Sequence, residues 1–242
     1  SDGKQMILDK LFQLMADKHA SDIFISAGVP IHIKIQGNTF PVNQQVMDPA
    51  MIEKIAMELM STDQQRLFEA TMEMNLSFGV PGIGNFRVNL FRQRASISIV
   101  VRYILGNIPA LDTLSLPPVL SELIMEKRGL ILIVGATGSG KSTTIASMLD
   151  YRNAHRSGHI LTIEDPIEFL FKHKKSIVNQ RELGMDTLGW EPALKNAMRQ
   201  APDCILIGEI RDKQTMTAAL AYAQTGHLCL ATLHANSANQ AI

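Results

Sequence analysis

The chain has 242 residues, room for one large domain or two ordinary ones, and 46% hydrophobic content, ample for a core. Acidic and basic residues balance at 23 each, which speaks against a nucleic-acid binder working through a broad basic field, so no nucleic acid is expected as a partner. Cys204 and Cys229 each sit in an apolar run and read as core residues of a reducing compartment; no apolar run approaches the ~20 residues of a membrane span and no signal peptide is visible, so a soluble cytoplasmic protein is expected. Ser1-Asp2-Gly3 lacks an initiator Met and reads as an added remnant.

In chain order, Ile7, Leu8, Leu11, Phe12, Leu14 and Met15 share one helical face, and Ser21-Asp22 is expected to end that helix. Strands are expected over 23–25 and 31–35, joined by Gly28-Val29-Pro30, the second with one wet face because it alternates. Asp48-Pro49 is a cap and first-turn signal for a helix to about Met60, and Ser61-Thr62-Asp63 starts another. Strands follow over 74–80, 86–93 and 95–104. Gly106, Asn107, Pro109, Pro117 and Pro118 then break any regular pattern. The expected division is a small α+β domain over 1–105, a linker over 106–118 and an α/β unit over 119–242. A helix over 119–127 opens the last part. Strand candidates 130–134, 159–164, 177–181, 204–208 and 227–233 alternate with helices near 141–152, 191–200 and 213–224, the sequence form of a parallel sheet covered on both faces.

The most informative stretch is Gly135-Ala136-Thr137-Gly138-Ser139-Gly140-Lys141-Ser142-Thr143, which matches the phosphate-cradling pattern G-x-x-x-x-G-K-[ST] between an apolar strand and a helix. Its glycines let backbone N–H groups wrap a polyphosphate, and the helix N-terminus adds positive partial charge. Lys141 is expected at the β/γ-phosphates, and the Ser142 hydroxyl on Mg²⁺. A P-loop alone does not hydrolyse a nucleotide. Glu209, after the strand Cys204-Ile205-Leu206-Ile207-Gly208, is placed to polarise the attacking water, where a solvated strand-end acid is the bland alternative. Glu164, Asp165 and Glu168 crowd the turn after another strand and call for a counter-charge such as a metal–triphosphate. Glu164 is best placed for the site, with Asp165 fixing the turn and Glu168 facing solvent. His227 and His234 bracket the last strand; one or both are candidates to sense the γ-phosphate or bridge to a neighbouring subunit, or to be simply packed, and a zinc site with Cys229 is disfavoured because 227 and 234 point to opposite faces.

The P-loop, Ile163-Glu164-Asp165-Pro166-Ile167-Glu168, Gly208-Glu209-Ile210-Arg211-Asp212 and Thr225-Gly226-His227 with Thr232-Leu233-His234-Ala235-Asn236 occur in this order. Together they resemble the secretion-superfamily ATPases that drive type IV pili and type II secretion, and within them the pilus retraction motors. Gly158-His159-Ile160-Leu161-Thr162 and Arg199-Gln200-Ala201-Pro202-Asp203 lean toward one of the two retraction-motor paralogues, which leaves open an accessory ring assisting a partner motor beside an independent motor. The resemblance implies a PAS-like N-terminal α+β domain linked flexibly to a RecA-like P-loop motor domain, and a hexameric ring with ATP and Mg²⁺ between domains. It implies Glu209 as catalytic glutamate, Glu164 in an acidic box that also serves Mg²⁺, and His234 in a histidine box. It maps the N-terminal domain's catalytic arginines to Arg87 and Arg102, with Arg92 and Arg94 as nearby competitors, while Arg211 holds the strand end or contacts a neighbour. The implied setting is the cytoplasmic face of the inner membrane at the pilus base, with a membrane platform protein and a paralogous retraction motor as partners. The family continues with a helical section beyond the histidine box, so an incomplete C-terminus is expected. ATP rather than GTP rests on the resemblance alone. A P-loop kinase lacks a visible acceptor segment here, and a nucleic-acid translocase would have only Lys172-His173-Lys174-Lys175 to work with.

Overall fold

The computed structural model of the protein describes residues 2–136 and 140–234, with side chains from Leu8 onward. Its contacts divide the chain after Ile104 into two units. The first contains α1 (Asp2–Lys18), β1 (Asp22–Ile25), β2 (Pro30–Ile35), β3 (Asn38–Val46), α2 (Pro49–Leu59), α3 (Thr62–Thr71), β4 (Glu73–Val80), β5 (Gly84–Gln93) and β6 (Ser96–Ile104). The helix starts follow from local chemistry. Asp48 Oδ1 accepts the Met51 N–H at 3.0 Å with Pro49 in the first turn, and Ser61 and Gln64 form a reciprocal capping box. The strands form one antiparallel sheet in the order β3-β2-β1-β6-β5-β4. Phe12 of α1 stacks on Phe86 of β5 with centroids 4.2 Å apart, over a core that takes in Ile23, Ile25, Ile52, Phe68, Val88, Ile99 and Val101.

Two details differ from the sequence reading. Asp22 begins β1 rather than ending the helix, which stops at Lys18. Strand β3 was not expected: its segment carries Pro41, is nearly all exposed and has no alternation to read. An edge strand needs no buried face and tolerates a missing N–H; the chain forms it by pairing Phe40 with Ile33 and Pro41 with His32 of β2.

The second unit contains α4 (Val119–Leu123), β7 (Gly129–Gly135), α5 (Lys141–His155), β8 (Gly158–Glu164), β9 (Ser176–Glu182), α6 (Trp190–Ala197), β10 (Cys204–Ile207), α7 (Lys213–Gln224) and β11 (Leu228–His234). Its sheet is wholly parallel, in the order β7-β11-β10-β8-β9. All of β10 and all of β11 but His234 are buried, which is why both read as unbroken apolar runs. Ile145, Met148 and Leu149 of α5 cover one face; Ala193 and Leu194 of α6 and Ala219 and Tyr222 of α7 cover the other. Residues 106–118 pack within this unit. Leu105 bridges to Phe169, and Leu111 and Leu116 join the core under α5.

The helix expected over 119–127 ends at Leu123, and arginines at the end of α5 and just after it bond the carbonyls that follow. Fully buried Arg152 donates from Nη1 to Ile124 O at 2.8 Å and Glu126 O at 2.7 Å, and Arg156 Nη1 donates to Met125 O at 2.7 Å. Those bonds satisfy backbone acceptors just past the end of α4, which has no further turn to bond them.

Candidate active site

The C-terminal ends of the parallel strands open into a cleft of about 430 Å³ lined by Ala136, Gly140, Lys141, Ser142, Thr143, Glu164, Glu209, Thr232 and His234, among others. These residues come from β7 and α5 on one side and from the ends of β8, β10 and β11 on the other. Open parallel sheets gather ligands at this edge because loops and helix N-termini converge there. Gly140 enters α5 at φ 80°, a left-handed conformation that suits glycine. Lys141 begins the helix, and its Nζ donates to Gly135 O at 3.2 Å, holding the ammonium at the end of β7. Thr137, Gly138 and Ser139 of the expected phosphate cradle lie outside the described residues.

Glu164 ends β8. Thr162 Oγ1 donates to its Oε2 at 2.7 Å, and Gln180, directly opposite Thr162 on β9, donates from Nε2 to the same oxygen at 3.4 Å. Burial pushes the Glu164 carboxyl up to about 7; the two hydrogen bonds oppose that shift, and Glu168 and Glu182 add to it. The acidic turn that follows is held from β9. Gln180 donates to Phe169 O at 2.7 Å and accepts from Phe171 N at 3.0 Å, while Glu182 accepts from Ile167 N at 2.9 Å.

Glu209 follows β10 through Gly208. A Cβ on Gly208 would lie 3.0 Å from Ile163 O and 3.2 Å from Glu164 Cα, so the glycine serves the close approach of β10 to β8 rather than to a ligand. Thr232 on β11 donates its hydroxyl to Gly208 O and accepts Ile210 N on its carbonyl at 2.8 Å, fixing the Glu209 segment from the other neighbour. Arg211 pairs with Glu209, Nε to Oε2 at 3.0 Å, and with Asp165, Nη2 to Oδ2 at 3.4 Å. Asp165 thus has a partner of its own beyond fixing the turn.

The two histidines separate cleanly. His234 lines the cleft directly opposite Gly135. His227 precedes the N-terminal end of β11, where its Nδ1 lies 3.0 Å from Thr225 Oγ1. Seven residues of strand, about 23 Å at ~3.3 Å per residue, part it from His234, so His227 has no place at the phosphates and no shared zinc site forms. In the first unit, Arg87 faces Arg102 across β5 and β6, and Arg102 faces Asp22 of β1 with Nε 3.5 Å from Oδ1. Of the competing arginines, Arg92 lies over the Phe68 ring at 5.3 Å and Arg94 sits in the turn between β5 and β6. The basic stretch Lys172–Lys175 is a tethered turn: Lys174 pairs with Asp150 at 2.7 Å, and Asn153 Nδ2 donates to Lys172 O at 2.6 Å.

Sequence reasoning missed Thr162, Gln180, Thr232 and Trp190. Thr162 left a signal, since it sits two residues before Glu164 on the same strand face. Gln180 left none, because only the β8–β9 register brings it there.

A family model for Type II/IV secretion system proteins matches residues 3–242. The chain belongs to this family. It is 50% identical over 237 residues to the type IV pilus ATPase PilU of Pseudomonas aeruginosa, covering 98% of this chain and 62% of that one. It is 43% identical over 237 residues to the type IV pilus retraction ATPase PilT of the same organism, covering 98% and 69%. The crystal structure of the pilus retraction motor PilT with bound ADP is similar at a TM-score of 0.84 and 44% identity, covering 96% of this chain and 66% of that one. The chain therefore spans about two thirds of the length of these family members. The expected fold class, a PAS-like α+β domain followed by a RecA-like P-loop core, holds, as does the resemblance to the retraction motors.

Proposed function

We propose that this chain is the nucleotide-hydrolysing part of a type IV pilus retraction motor, turning ATP and water into ADP and phosphate. The observation that carries the reading is the convergence of Lys141, Ser142, Glu164, Glu209 and His234 on one cleft. The bound ADP of the PilT relative supports nucleotide as the ligand. Lys141 neutralises charge on the β- and γ-phosphates from the first turn of α5. Glu209 takes the proton of a water directed at the γ-phosphorus, and His234, beside the loop, registers the terminal phosphate.

The donor chemistry fits Mg²⁺. The Ser142 hydroxyl and the Glu164 carboxylate are hard oxygen ligands on the same cleft. Bound there, Mg²⁺ would supply charge neutralisation to the transferring phosphoryl group.

In this reading Arg87 and Arg102 reach the γ-phosphate when the first domain closes, within a head-to-tail hexameric ring. The ring works at the pilus base on the cytoplasmic face of the inner membrane, against a platform protein and beside a paralogous motor. No helix among the described residues is long and apolar enough to cross a membrane. Glu209→Gln in the full-length protein tests the core of the proposal. It is expected to retain ATP binding and to lose turnover by about 10²-fold or more. Wild-type hydrolysis would remove Glu209 from its role.

A second reading is an accessory ring that assists a partner motor with its own hydrolysis dispensable; it is supported by the higher identity to PilU, named only as a type IV pilus ATPase, than to PilT, named as the retraction ATPase. Lys141→Ala separates the two. Retraction preserved beside an intact partner motor supports the accessory role; retraction lost supports an independent motor.

A further inference from the structure

Four carboxylates line the acidic rim of the cleft: Glu164, Asp165 and Glu168 after β8, and Glu209 after β10. Arg211 stands between two of them. Its Nε meets Glu209 Oε2 at 3.0 Å and its Nη2 meets Asp165 Oδ2 at 3.4 Å. Its backbone is fixed as well: Arg211 N donates to Thr215 Oγ1 at 3.1 Å, and Asp212 caps α7 through the same threonine, which is buried.

We propose that Arg211 is the positioning residue for the Glu209 carboxylate, tying it to the Asp165 turn so that the ends of β8 and β10 keep one spacing. This rests on the reading of Glu209 as the group that takes the water's proton. The Nε bond occupies Oε2 of the Glu209 carboxylate. A guanidinium fork suits the task because Nε and Nη2 address two acceptors at a fixed angle, which a lysine ammonium cannot reproduce. The side chain is half exposed, 51%, so its ion pairs contribute little to stability and the variant is expected to fold.

The test is steady-state ATP hydrolysis and binding of a fluorescent ADP analogue by the full-length protein and its variants. Arg211→Ala is expected to lower kcat about 10–100-fold, the scale for removing a group that orients a reacting one, while KM and analogue affinity stay within about threefold. Arg211→Lys is expected to fall between Arg211→Ala and wild type. Asp165→Asn is expected to lower kcat less, and the double variant to be no slower than Arg211→Ala alone, because both act through one link. An unchanged kcat in Arg211→Ala overturns the proposal. So does weakened analogue binding at unchanged kcat, which would make Arg211 a phosphate contact, or losses that multiply in the double variant. If Glu209→Gln remains active, the reading of Glu209 falls and this inference with it. If Glu209→Gln is inactive while Arg211→Ala is wild-type, only the role of Arg211 is refuted.

Discussion

Replacing Glu164 by Gln should make the nucleotide-free protein more stable at alkaline pH, although it removes a residue placed in the site. Moving the carboxyl from its ordinary 4.5 to about 7 corresponds to about 3 kcal/mol in favour of the neutral form, at about 1.4 kcal/mol per factor of ten. An acid that holds its proton more tightly when folded weakens the fold where it is ionised. The penalty is absent below its unfolded value of 4.5, grows as pH rises, and is complete above about 7. An amide fits the same place, because Thr162 Oγ1 and Gln180 Nε2 both donate to one oxygen, Oε2, which an amide oxygen replaces. Glu164→Gln should therefore raise the free energy of unfolding by about 1–3 kcal/mol near pH 8 and leave it unchanged near pH 4. Urea denaturation of both proteins across this range, without nucleotide or Mg²⁺, measures the difference. Equal stability near pH 8, or a gain that persists unchanged in acid, would refute the argument that burial of charge is what Glu164 pays. The same variant should bind Mg–nucleotide more weakly than wild type.

Trp190 is the sole tryptophan of the chain and lines the cleft, so ADP or ATP binding should change its emission, and Lys141→Ala should abolish that response at the same nucleotide concentration. An emission unchanged by saturating nucleotide, with binding confirmed by calorimetry, would place the ligand elsewhere. Arg152→Met should destabilise the protein by about 3 kcal/mol, because it strips charged donors from the Ile124 and Glu126 carbonyls. A loss below about 1 kcal/mol in urea denaturation would mean that water replaces the guanidinium.

The second unit was legible to within about a residue at most strand ends because its strands are short apolar runs, the central ones buried on both faces, bounded by glycine, proline and acids. The first unit was legible where a face was buried and illegible at β3, whose exposure removed the alternation. In the site, Lys141, Ser142, Glu164, Glu209 and His234 were readable because each lies at a strand or helix end that the apolar runs mark out. What was not readable depends on pairing between distant segments. The Gln180 bond to Glu164, the Thr232 bond to Gly208 and the Asp165 bond to Arg211 each join two strands or their ends, and no local pattern encodes the register.

Crossing order decides which motifs meet. Along the chain the P-loop is followed by Glu164, then Glu209, then His234. Across the sheet the order is β7, β11, β10, β8, so the strand ends present the P-loop, His234, Glu209 and Glu164 in turn. The ends of β7 and β8, which lead into the first two motifs in sequence, are thus held three strand spacings apart, about 14 Å at ~4.8 Å per spacing. The two strands inserted between them arrive latest in the chain and bring the histidine and the second glutamate. Had β8 paired beside β7, Glu164 would crowd the loop, and Glu209 would lie outside the pair. The parallel crossovers through α5, α6 and α7 are what open the gap, and Gly208 is what lets β10 close against β8 on its far side.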